Sequence, residues 1–307
     1  MSDDHEKPAP QKKRRRIVFL LRTFSTVALW SIVLAILLTG SVIGSFFLVL
    51  FLAMGALREF YRIARARGVE PLYVSGMTLG ALLILGMYLQ EMNPTESVYS
   101  SLEVIIKAFG TCVLTGILIF RRDPPARLVE TGVYTVFGLV YVVWLLGYLI
   151  KVVFLFDPTQ AATGFYYVLY LIAITKFCDM GAYLVGTWIG KNPAFEWISP
   201  KKTLEGYGGA MLFAQIASVG GFLLAGNQLI GLNLPAAIIL GVVIGIAAII
   251  GDLVESIIKR GSNMKDSGGT LPGIGGFLDL IDSLLFTAPL LYFYLVFFVP
   301  DAVRTIY

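Results

Sequence analysis

The sequence predicts an all-α, polytopic integral membrane protein with about nine transmembrane helices. Three observations carry that prediction. Of 307 residues, 57% are hydrophobic and only 14% charged, whereas a soluble chain is roughly half apolar and about a quarter charged. A single core cannot hide so much apolar surface, so lipid has to act as solvent. Second, apolar stretches near the roughly 20 residues that a helix needs to cross a bilayer recur along the chain. They fall at about 23–39, 42–57, 72–89, 102–120, 131–153, 163–186, 207–226, 235–258 and 280–299. The first two are split at Gly40-Ser41 into a tight hairpin. Third, the loop charges alternate.

Arginines crowd the 58–69 segment (Arg58, Arg62, Arg65, Arg67) and the 121–127 turn (Arg121, Arg122, Arg127), while the 90–101 loop holds Glu91 and Glu96 without Lys or Arg. The positive-inside rule puts the basic segments in the cytoplasm. Nine spans satisfy every placement, and merging the first hairpin into one helix puts the tail on the wrong side. The 58–69 stretch is expected to form a short interfacial helix, with Leu57, Tyr61 and Ala64 toward lipid.

Residues 1–16 contain Pro8, Pro10 and the run Lys12-Lys13-Arg14-Arg15-Arg16. They read as a disordered, basic cytoplasmic tail flanking a span, with no cleavable signal peptide. An N-terminal transmembrane scaffold (17–160) and a C-terminal transmembrane catalytic region (161–307) follow, because nearly all polar anomalies lie in the second half. Cys112 and Cys178 sit in apolar runs without zinc-ligand spacing. The single histidine is His5 in the tail, which excludes serine–histidine triads and histidine metal sites from the folded body. No nucleic-acid partner is expected.

Three polar clusters interrupt the later spans. Lys176, Asp179 and Tyr183 share a helical face at i, i+3 and i+7. Charges at that depth are costly and are expected to face a polar interior, although a Lys176–Asp179 structural pair explains them too. The second cluster, Ser199-Pro200-Lys201-Lys202-Thr203-Leu204-Glu205-Gly206, sets adjacent lysines against a helix start. Point charges, backbone N–H groups and a hydroxyl suit a phosphate there; a solvated basic loop is the plainer alternative. In the third, Asp252, Ser256 and Lys259 lie on one helical face with Glu255 beside them. Arg260, Lys265, Asp266 and a glycine-rich turn ending in Gly275-Gly276 follow, and Asp279 and Asp282 then open the next span. Carboxylates at the ends of two neighbouring helices are what a hard divalent cation requires, with waters and substrate phosphates completing magnesium's octahedron.

These residues resemble the phosphatidate cytidylyltransferase (CDP-diacylglycerol synthase) family. Ser256-x-Ile258-Lys259-Arg260, Lys265-Asp266, the Pro272-Gly273-x-Gly275-Gly276-Phe277 turn and Asp279-x-Ile281-Asp282 fall in register with its signature. Asp179-x-Gly181-Ala182-Tyr183 and the Ser199–Gly206 segment are similar to it as well. The resemblance spans roughly residues 175–285. It departs at Ile274 and Leu280, where the family pattern usually has histidine and arginine.

The resemblance implies CTP and phosphatidate as substrates, Mg2+ as cofactor, membrane lipids as surroundings and a membrane homodimer. Asp252 and Asp279 are then metal ligands, with Asp282 and Asp266 as additional ones. Lys201 and Lys202 hold nucleotide phosphates, and Ser256 and Lys259 position the attacking or leaving phosphate. Arg260 and Lys265 accompany them, while Asp179, Tyr183, Ser199, Thr203, Gly275 and Gly276 contact substrate. The expected setting is a bacterial-type inner membrane with the site facing the cytoplasm. A CTP-dependent lipid kinase, a catalytically silent scaffold and an ion-coupled transporter are the rival readings.

Overall fold

A computed structural model describes residues 11–93, 99, 101–156, 161–262 and 275–299, with side chains from residue 25 onward apart from that of Ala161. Nine helices are present among the described residues: α1 (Gln11–Leu38), α2 (Val42–Ala66), α3 (Tyr73–Met92), α4 (Leu102–Ile119), α5 (Pro125–Phe154), α6 (Ala161–Ile189), α7 (Leu204–Ala225), α8 (Leu234–Arg260) and α9 (Phe277–Phe298). Helices α2 to α9 are long and apolar enough to cross a membrane, and α1 includes the apolar part Ser25–Leu38. Large side chains such as Phe109, Ile119, Phe120 and Leu224 stand fully outward. Apolar surface on that scale is stable only against lipid, and the chain is an all-α polytopic membrane protein.

The sequence places the helix starts and stops. Gly40 adopts a positive φ of 63°, which a residue without Cβ does at no cost. Ser41 then caps α2, its hydroxyl accepting from the Gly44 N–H. The expected break between the first two helices at 40–41 is therefore present. Because α1 starts at Gln11, residues 11–16 of the expected disordered tail are helical; residues 1–10 lie outside the described residues.

The expected interfacial helix is not separate. Helix α2 runs unbroken to Ala66, and Leu57, Tyr61 and Ala64 are buried inside the protein rather than turned to lipid. Tyr61 donates to the Thr135 carbonyl across to α5 at 3.0 Å. A phenol with an interior acceptor gains more there than at an exposed apolar surface. The basic loop after α6 is also more ordered than expected. It forms a two-stranded antiparallel hairpin, β1 (Pro193–Phe195) with β2 (Ser199–Thr203).

Helix α9 packs against α8, α5, α2 and α6. The end of α2, the start of α5, the end of α8 and the start of α9 meet at one end of the bundle, where Arg67 lies over the Tyr134 ring and Glu59 accepts from the Leu278 N–H at 2.9 Å. At the opposite end, buried Glu103 on α4 binds Lys107 at 2.6 Å, Lys151 at 2.5 Å and the Trp144 indole N–H at 2.8 Å. Removing one member of such a cluster strands buried charge. Glu103→Gln is expected to destabilise the protein by about 3 kcal/mol, read as a lowered unfolding midpoint in detergent, with activity per folded molecule unchanged.

Candidate active site

Four helix ends and the β hairpin enclose a cavity of about 420 Å³. Helix α6 contributes Asp179 and Tyr183, β2 contributes Lys201, Lys202 and Thr203, α7 contributes Tyr207, α8 contributes Asp252, and α9 contributes Asp279 and Asp282. The helices can close on one another because small residues line their crossings. A Cβ on Gly251 would sit 2.6 Å from the Asp282 carbonyl oxygen, and one on Gly181 would lie 2.5 Å from that of Gly209. Glycine at both points lets backbones approach closely.

Each anchor follows from local chemistry. Thr203 is the N-cap of α7, its hydroxyl accepting from Gly206 N–H at 3.1 Å. Glu205, in the first turn, accepts from the backbone N–H groups of Lys191 and Asn192 at 3.2 Å and so ties down the approach to the hairpin. Gly275 has φ of 119°, a conformation open to glycine. It leads into Gly276, whose N–H donates to Asp279 Oδ2 at 2.8 Å as α9 begins.

One oxygen from each of Asp252, Glu255 and Asp282 lies within 4.8 Å of the others. Glu255 is buried, and its Oε1 has no hydrogen-bond partner among the described residues. Its other oxygen contacts Lys259 at 2.6 Å, and Lys259 also reaches Asp279 Oδ1 at 2.8 Å. Lys202 spans the cavity to Asp252 Oδ2 at 2.6 Å and donates to the Ser256 hydroxyl at 3.2 Å. Lys176 holds Asp179 at 3.0 Å and the Leu280 carbonyl at 3.1 Å, and Ser283 donates to the other Asp179 oxygen at 3.4 Å. Four carboxylates thus share three ammonium groups, while Asp282 accepts from the Ser283 N–H and Lys201 adds a fourth positive charge to the wall. The all-oxygen donor set and the orphaned Glu255 oxygen fit a hard divalent cation.

Asp179, Tyr183, Lys201, Lys202, Thr203, Asp252, Asp279 and Asp282 all line the cavity as the sequence reading groups them. Lys176 does not: it forms the structural pair with Asp179 and also donates to the Leu280 carbonyl. The three-carboxylate group holds Glu255 in place of Asp279, which is engaged by Lys259 and Gly276. Ser256 and Lys259 sit behind the cavity wall, bound to Lys202 and to Glu255 and Asp279. Ser199 and exposed Arg260 do not line it. Lys265, Asp266 and Ile274 lie outside the described residues. Two residues were missed as site members. Glu255 stands three residues after Asp252, a spacing that puts both on one helical face. Tyr207, with a buried hydroxyl lacking a partner among the described residues, left no such signal.

Residues 20–298 match the cytidylyltransferase family. The chain is 31% identical to the phosphatidate cytidylyltransferase of Synechocystis sp., over 80% of this chain and 85% of that protein. It is 30% identical to the phosphatidate cytidylyltransferase of Staphylococcus aureus, over 88% of this chain and 96% of that protein. It is also 40% identical to the uncharacterized protein YnbB of Escherichia coli, where the match covers 53% of this chain and about half, 51%, of the relative.

Proposed function

The chain belongs to the cytidylyltransferase family, and from that premise we propose that it converts CTP and phosphatidate to CDP-diacylglycerol and diphosphate, a step of phospholipid synthesis. The observation that carries this reading is the cavity itself, in which converging carboxylates face Lys202 at one end of a lipid-embedded bundle. A site built there can receive a water-borne nucleotide and a membrane-borne acceptor together.

An oxygen of the phosphatidate phosphate attacks the α-phosphorus of CTP. A new P–O bond forms, the bond from the α-phosphorus to the bridging oxygen breaks, and diphosphate leaves with that oxygen's electrons. The attacking phosphate monoester has a second pKa of about 6, so near neutral pH it is ionised and needs no general base. A cavity without histidine suits that chemistry.

Asp252, Glu255 and Asp282 would hold Mg2+, supported by their all-oxygen donor set and mutual reach. When bound, the ion would supply charge neutralisation at the phosphate oxygens. Lys202, able to leave Asp252 for a phosphate, holds the nucleotide with Lys201. Tyr183, Thr203 and Tyr207 offer hydroxyls on the same wall. Lys259 binds Glu255 and Asp279 together and so fixes the end of α8 against the start of α9. Basic residues near that end of the bundle, Arg67 among them, favour a cytoplasmic site in a bacterial-type inner membrane.

The test uses purified protein, phosphatidate, Mg2+ and CTP labelled at the α-phosphorus. Label is expected in the lipid phase only with both phosphatidate and metal. Absence of transfer from folded protein, with γ-label moving instead to a polyprenol acceptor, would replace this reading with a lipid kinase.

A further inference from the structure

A second charged cavity lies on another side of α9. Arg58, Arg62 and Arg65 stand outward on α2 at i, i+4 and i+7, one helical face, and line a space of about 680 Å³ closed by Gly55, Tyr73 and Phe277. The shape depends on Gly55, because a Cβ there would fall on the Phe277 ring. Arg65 rests over the Tyr73 ring at 4.9 Å and contacts exposed Glu70 at 3.3 Å. Buried Glu59 also lines the space, and it accepts from the Leu278 N–H.

The same face of α2 continues away from the arginines as Phe51, Phe47 and Ile43, each more than half exposed. One helix stripe therefore changes from apolar to triply basic within two turns, across Gly55. A free phosphate would use only the basic end. A phospholipid matches both parts, with acyl chains along the aromatic strip and its phosphate among the guanidinium groups, whose planar forks suit phosphate oxygens.

We propose that this cavity binds an anionic phospholipid by its phosphate, with the chains lying along α2. The lipid would rest against the first turn of α9 through Phe277, two residues before Asp279, so its occupancy bears on the helix that carries the acidic site. The proposal stands apart from the reaction assigned above.

Native mass spectrometry of the full chain in detergent tests it, with phosphatidylglycerol, phosphatidylcholine and inorganic phosphate as probes. The wild-type protein is expected to bind phosphatidylglycerol roughly ten-fold more tightly than the Arg58→Gln/Arg62→Gln variant. Phosphatidylcholine should bind both equally, and excess inorganic phosphate should displace no lipid. Arg121→Gln/Arg122→Gln should leave binding unchanged. Equal phosphatidylglycerol binding by both proteins, equal loss in the Arg121/Arg122 variant, or displacement by inorganic phosphate would overturn the proposal. Arg58→Gln alone, at an exposed position, gives a reading if the double variant does not fold.

Discussion

Asp282→Asn is expected to lower cytidylyl transfer by roughly a hundredfold to a thousandfold while the protein stays folded, and Asp252→Asn is expected to do the same. Asn keeps the size of the side chain and, at 282, an oxygen able to accept from the Ser283 N–H. What it removes is one negative charge from the group formed with Glu255. Because the carboxylates act as a unit, the double variant should be little worse than the weaker single. Initial rates with α-labelled CTP, normalised to protein that elutes as a single species, check this. Independent, multiplying losses would mean that the two carboxylates serve separate steps.

Gly251→Val should be nearly as damaging by a different route. The added Cβ meets backbone rather than a flexible side chain, at 2.6 Å from the Asp282 carbonyl oxygen and 3.0 Å from Ser283 Cα. Helices α8 and α9 must then part, and Asp252 and Asp282 part with them. Overpacking of this kind costs about 1–3 kcal/mol, so the unfolding midpoint should fall along with the rate. Gly251→Ala, with the same Cβ but no branches, should lie between. A Val variant with unaltered activity would show that the close crossing does not hold the carboxylates together.

The spans were legible because length and apolarity in the chain translate directly into helices. The lipid-facing side of each was not, since a stripe facing lipid and one facing another helix are both apolar. Leu57 and Tyr61 show the difference: their spacing allowed an interfacial helix, but Thr135, from a distant part of the chain, offers Tyr61 an interior acceptor. The acidic site was legible as a set of helix ends. Which carboxylate turns to which neighbour was not, because Asp279 accepts from the Gly276 N–H at the start of α9 while Glu255, which shares Lys259 with it, joins Asp252 and Asp282. The arginine cavity was invisible for a similar reason, as its wall includes Phe277 from the far end of the chain.

The Mg2+ dependence of label transfer from α-labelled CTP to phosphatidate, compared between the wild-type protein and Glu255→Gln, tests the central claim most directly. Wild-type transfer should require the metal, and the variant should need roughly ten-fold more of it or lose activity outright. Wild-type transfer that persists in chelator, or a folded Glu255→Gln protein with an unchanged metal requirement, would contradict an active site built on Asp252, Glu255 and Asp282.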